Sequence, residues 1–130
     1  MMTHLIMIAA GGAAGTLCRY GLVNWVNSFS YSKSQWGAFP LGTLSVNVIG
    51  SFCIGIIYVL VAERLALHPE WRNVAMVGFL GAFTTFSSFS LETIMLLENG
   101  QLTYALLYMF SSLLICVIAA WLAISLTRLF

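Results

Sequence analysis

Four apolar stretches run through the chain, at about residues 5–29, 41–61, 74–97 and 102–126. A helix needs roughly 20 mostly apolar residues to cross the hydrocarbon core of a bilayer. Each stretch is long enough, so the expectation is an all-α integral membrane protein, one four-helix membrane domain over residues 1–130. Charge agrees: 61% of the residues are hydrophobic, only 7% are charged, and there is no Asp. A soluble domain carries about 25% charged residues to cover its surface. A mean hydropathy of +0.97 therefore describes a chain whose outside faces lipid.

The polar connections are short. Residues 30–40 hold Lys33 and Trp36 at an interface, and residues 63–72 carry two Arg, two Glu, His68 and Pro69. The third connection, Glu98-Asn99-Gly100-Gln101, is so brief that the third and fourth helices should form an antiparallel pair. A net charge of +1 gives no field to recruit nucleic acid. Cys18, Cys53 and Cys116 are odd in number and lie within apolar stretches, which argues against a disulfide framework. No CxxC or Cys/His spacing suggests a metal site. The N-terminus lacks a basic leader, and Leu17 stands where a lipoprotein cleavage before Cys18 needs a small residue, so the first stretch reads as a retained helix.

Orientation is less constrained. With both termini on one side, Arg64, Arg72 and Arg128 fall there and Lys33 falls opposite. Positive charge sets topology, and this is a weak bias toward an inside N-terminus, so insertion in both orientations stays open. Gly11 and Gly15 share one face of the first helix, as do Ser51 and Gly55 on the second. Small residues four apart let helices approach closely in lipid, within one chain or between two. The number of small and hydroxyl residues leads us to expect a homo-oligomer.

The third helix is the unusual one. Residues 77–90 pack two Gly, two Thr, three Ser and four Phe into mid-membrane. Gly and Thr are poor helix formers, and Ser and Thr hydroxyls compete for backbone carbonyls. A break near residues 81–84 is one reading, and an unbroken helix with glycine packing contacts is the other. A break frees carbonyls, which suit a hard cation such as Na⁺. Phe83, Phe86 and Phe89 recur every three residues beside Thr85, Ser87 and Ser88. Such a stripe is ordinarily core or lipid-facing, but phenyl rings have positive edges, and ring edges among hydroxyl donors can accept a small anion without a competing carboxylate.

Tyr108, Ser112 and Cys116 line one face of the fourth helix at spacing four, with Ser111 beside them. Asn47 lies inside the second helix, where its amide either staples helices or donates to an ion. Arg19 lies within or near the end of the first, a costly place for a charge unless it faces water. At a pore mouth it would attract anions. Glu92 is either the structural partner of Arg19 or a polar group at the far end of a pore.

Together these residues resemble one family, the CrcB/Fluc fluoride channels. The resemblance rests on Gly11-Gly12-x-x-Gly15-x-x-x-Arg19, on Gly42-Thr43-Leu44-x-Val46-Asn47-x-x-Gly50, and on Gly78-x-x-Gly81-x-x-Thr84-Thr85-Phe86-Ser87-Ser88-Phe89-Ser90, with Tyr108 and Ser112 on the fourth helix. It implies an antiparallel homodimer inserted in both orientations in a bacterial or archaeal cytoplasmic membrane, with two fluoride pores. It implies a structural Na⁺ on the dimer axis, held by the carbonyls of Gly81 and Thr84. It assigns Phe86 and Phe89 to fluoride contact, Asn47, Ser87, Ser88, Tyr108 and Ser112 to the pore lining, Arg19 to a vestibule and Glu92 to a pore end. Cys116 stands where the family often has Ser, and Ala82 where a second Gly is common.

Three rivals are weighed against this. A small four-helix proton-coupled multidrug transporter needs a carboxylate in its first helix, and this chain has Arg19 there instead. An assembly subunit would account for the small residues but not for hydroxyls interleaved with Phe. A membrane enzyme would need a nucleophile with its base, or a metal cluster, and the sequence offers neither.

Overall fold

In the computed structural model, which describes residues 2–33, 39–64 and 69–130, regular structure is entirely helical among the described residues. Four helical segments are long and apolar enough to cross a membrane: Met2–Phe29, Leu41–Arg64, Glu70–Glu98 and Leu102–Leu129. The protein is a multi-pass membrane protein. The segments overrun the apolar stretches at several ends because amphipathic and charged side chains continue a helix into the headgroup layer, where their tips reach water. Trp36 and His68 lie outside the described residues.

The first span belongs to α1, Met2–Lys33. The second is α2, Leu41–Ile57, continued by π-helical turns over Tyr58–Arg64. The third is composite: α3, Pro69–Asn73, π-helical turns over Val74–Leu80, α4, Gly81–Phe83, and α5, Phe86–Glu98. The fourth is α6, Leu102–Leu129.

Most large apolar side chains point outward, and only 6% of the most apolar window of the first span is buried. Cohesion in lipid therefore rests on close backbone approach and polar contacts. A Cβ on Gly15 would collide with the Phe79 carbonyl, and one on Gly11 would sit 3.0 Å from the Val74 carbonyl. On α2, a Cβ on Gly55 would lie 2.7 Å from the Ala120 carbonyl of α6. These small residues thus pack within one chain.

The turn between α5 and α6 follows from one glycine. Gly100 has φ 72°, a left-handed conformation that glycine adopts without steric cost. The Gln101 amide reaches back to the Leu96 carbonyl at 2.9 Å and the Gly100 amide to Leu97 at 3.0 Å. This Schellman cap ends α5 and folds α6 against it around Leu96, Ala105 and fully buried Tyr108.

Candidate functional site

Helical geometry in the third span stops at Phe83 and resumes at Phe86. Thr84 has φ −81° and ψ 158°, and Thr85 has φ −150° and ψ 112°, both extended. Gly81, at φ −62° and ψ −35°, is helical. The extended residues thus lie at and just beyond the C-terminal edge of the 81–84 window, because the threonine side chains can replace lost backbone bonds and glycine cannot. Thr85 Oγ1 accepts from the Ser88 amide at 3.1 Å, an N-cap for α5. Thr84 Oγ1 donates to the Leu80 carbonyl at 3.0 Å.

Asn47 completes the arrangement. Its Nδ2 donates to the Thr85 carbonyl at 3.1 Å, and its Oδ1 accepts the Thr85 amide at 2.8 Å. The side chain pairs with Thr85 as a neighbouring strand would, at a depth where unpaired backbone is costly. Of the two roles open to Asn47, the staple is visible, and one Nδ2 hydrogen remains to donate. The same contacts divert two amides from their helical targets. In a continuous α-helix the Thr85 amide would bond the Gly81 carbonyl and the Ser88 amide the Thr84 carbonyl. Both are given to side-chain oxygens instead.

Beside the break lies an open groove of about 600 Å³. It brings together Asn47, Gly81, Thr84, Phe86, Phe89 and Ser112 of the residues singled out from the sequence, together with Ser51, Thr85 and Cys116. Phe86 is 79% exposed, and its ring lies 5.4 Å from that of Phe89, which lies 5.1 Å from the Tyr108 ring. Ser112 is 7% exposed, and its hydroxyl has no hydrogen-bond partner among the described residues.

Other residues lie beyond the groove lining. The exposed Ser87 hydroxyl is 3.2 Å from Thr85 Oγ1, which donates to Ser88 Oγ at 3.0 Å. The Tyr108 hydroxyl donates to Glu92 Oε2 at 2.6 Å, and Thr43 Oγ1 donates to Glu92 Oε1 at 2.7 Å. Glu92 therefore joins α2, α5 and α6 and is not paired with Arg19. Among the described residues the ion pair present is Arg128 with Glu63. Arg19 is half-buried in α1.

Thr43 and Thr85 carry more of this site than their sequence reading suggested. A Thr just ahead of a helix is an N-cap pattern, the signal that could have found Thr85. Thr43 had no such signal, because its partner is 49 residues away.

The donors suit a small anion, since hydroxyls, an amide and ring edges meet where neither Asp nor Glu is among the lining residues. The break also suits a hard cation. Among the described residues no three His, Cys, Asp or Glu side chains gather into a metal cluster, so carbonyl oxygens are the donors to consider. A Cβ on Gly81 would meet only the Met76 carbonyl, at 3.5 Å, which leaves that position open to an approaching group.

Known proteins resemble the chain over nearly its whole length. The fluoride-specific ion channel FluC of Hahella chejuensis is 47% identical over 126 residues, covering 97% of this chain and 95% of that protein. The protein of the same name from Magnetococcus marinus is also 47% identical, covering 97% and 98%. That from Saccharophagus degradans is 43% identical, covering 97% and 92%. Residues 6–124 match the family described as CrcB-like protein, Camphor Resistance (CrcB), and the chain belongs to that family.

Proposed function

We propose that the protein is a fluoride channel that exports fluoride passively across a bacterial or archaeal cytoplasmic membrane and so limits its toxicity. The observation that carries this reading is the Ser112 hydroxyl, buried yet unpartnered among the described residues, on a groove with no lining carboxylate. Buried polar groups are nearly always hydrogen-bonded, so such a hydroxyl suits a small guest that accepts hydrogen bonds. Fluoride is the smallest halide and the strongest acceptor among them. The relatives named above are fluoride-specific channels, which supports the assignment.

The pore residues are Asn47, Phe86, Phe89 and Ser112, which line the groove, together with Ser87, Ser88 and Tyr108 beyond its lining. The free Asn47 hydrogen and the Ser112 hydroxyl donate to the ion, and the edges of Phe86 and Phe89 present partial positive charge. Neutral donors hold an anion without trapping it, as rapid passage requires. Arg19 draws anions into a vestibule, and Glu92, with both oxygens engaged, borders the pore end.

The groove is open along one side, so one chain encloses only part of a path. Two copies in antiparallel arrangement complete two pores, and the chain inserts in both orientations to supply them. Gly81 and Thr84 lie at the break, and a two-fold axis there offers their carbonyls twice. Four carbonyl oxygens fit a structural Na⁺, which adds cohesion at the interface.

Vesicles containing the purified protein and loaded with fluoride test the reading with a fluoride electrode. Rapid fluoride loss, no comparable chloride loss and no dependence on a Na⁺ gradient are expected. Equal chloride flux, or uphill fluoride movement driven by Na⁺, would replace the channel with another transporter.

A further inference from the structure

A second pocket of about 250 Å³ opens where the second span ends and the third begins. Its apolar lining is Ala62, Met76 and Val77, and its polar lining is Arg72, Asn73 and Tyr58. Arg72 lies two residues inside the third span, Glu70–Glu98, and Tyr58 six residues before the end of the second, Leu41–Arg64. The α-helical rise of about 1.5 Å per residue is an upper bound for π-helical turns, so the pocket reaches at most roughly 9 Å from headgroup level into the apolar layer. Trp71, beside Arg72, is 58% exposed, and Tyr58 is 40% exposed. Exposed Trp and Tyr at this depth are what an interfacial belt uses.

Charge selects among occupants. Arg72 has neither an ion pair nor a side-chain hydrogen bond among the described residues. Glu63 is already committed to Arg128 through bonds of 2.5 and 3.0 Å, and Arg64 donates to the neutral Thr127 carbonyl at 2.8 Å. Glu70 stands two positions before Arg72, and helical residues two apart do not share a face. The end of the bundle therefore keeps a positive charge next to an apolar slot. A hydrated free anion gains nothing from that slot, and the amine of a zwitterionic headgroup would be repelled by Arg72.

We propose that this pocket holds one anionic phospholipid. Its phosphate sits on Arg72 with the Tyr58 hydroxyl and Asn73 amide as uncharged donors, and its upper acyl chain lies against Met76 and Val77. Met76 also lines the groove, so the lipid braces the part of the third span that leads into the break. The proposal does not depend on the transport reading, because Arg72 takes no part in the groove.

The test titrates purified protein in neutral detergent with phosphatidylglycerol, phosphatidylcholine or inorganic phosphate, counting lipid adducts by native mass spectrometry. Phosphatidylglycerol should be retained in preference to phosphatidylcholine and should not be displaced by phosphate. Arg72→Gln should weaken its retention about fivefold, the size expected for one interfacial basic residue, and Tyr58→Phe should weaken it less. Fluoride efflux from phosphatidylcholine vesicles should be the same for Arg72→Gln as for the parent, which separates lipid binding from folding and from transport. If Arg72→Gln does not fold, the comparison of the two lipids and the Tyr58→Phe variant decide. Equal retention of both lipids, or unchanged retention by a folded Arg72→Gln or by Tyr58→Phe in its absence, would overturn the proposal. Displacement by phosphate alone would reassign the pocket to a soluble anion.

Discussion

Replacing Asn47 by Ala removes both partners of the Thr85 backbone while leaving the chain otherwise unaltered. Thr85 is 6% exposed, so its amide and carbonyl have little access to replacement donors and acceptors. Leaving a buried polar group unpaired costs about 1–3 kcal/mol, and a net hydrogen bond is worth about 0.5–1.5 kcal/mol when water can substitute. Two such groups give about 2–6 kcal/mol if the break is dry and about 1–3 kcal/mol if water enters from the groove. The expected loss is about 2–3 kcal/mol, where the two ranges overlap. Asn47→Asp should also lose stability, since a carboxylate accepts the Thr85 amide but cannot donate to its carbonyl. Reversible unfolding in mixed micelles, followed by circular dichroism, measures the difference. An Asn47→Ala protein with an unaltered midpoint and abolished fluoride flux would refute the staple and leave Asn47 as an ion contact alone.

Phe86→Ile should abolish fluoride efflux yet cost little stability, because a ring 79% exposed in the single chain supports little of its packing; wild-type flux in the purified variant would remove the ring from the mechanism. Gly15→Ala should destabilise by about 1–3 kcal/mol, the usual cost of overpacking, since its Cβ meets the fixed Phe79 carbonyl; an unchanged unfolding midpoint would contradict the packing of α1 on the third span. Gly81→Val should leave the single chain folded, its Cβ meeting only the Met76 carbonyl at 3.5 Å, yet weaken the dimer; cross-linking that shows a normal dimer would count against the break lying at the interface. Reporters fused to the C-terminus should label on both sides of the membrane, and exclusive cytoplasmic labelling would rule out the antiparallel pair.

The four spans were legible because hydrophobic length leaves little choice in lipid, and the Glu98–Gln101 turn because Gly100 supplies the left-handed residue a Schellman cap requires. The π-helical turns over Tyr58–Arg64 and Val74–Leu80 were not, since no residue type marks a slipped hydrogen-bond ladder. Composition alone left a break and an intact helix both open, and the 81–84 window took in extended Thr84 but not extended Thr85. Ser112 and Cys116 both line the groove, as their spacing of four on one helix suggested, whereas Tyr108 does not. Of the two readings of Glu92, pairing with Arg19 is not what the structure shows: spacing within one helix says nothing of Thr43 on another, so its two donors were invisible.

The ties on Glu92 also bear on how the chain enters the bilayer. A carboxyl group without polar partners is expensive in the bilayer interior, so α5 is ill suited to wait in lipid alone. Its nearest donor along the chain, Tyr108, is 16 residues further on, beyond a three-residue turn, and arrives only when α6 follows as a hairpin. Its other donor, Thr43, has already been synthesised on α2. Late spans delivered as a pair onto an early span already in place would shelter the carboxyl group. The three-way contact among α2, α5 and α6 can form only once Tyr108 on α6 is available.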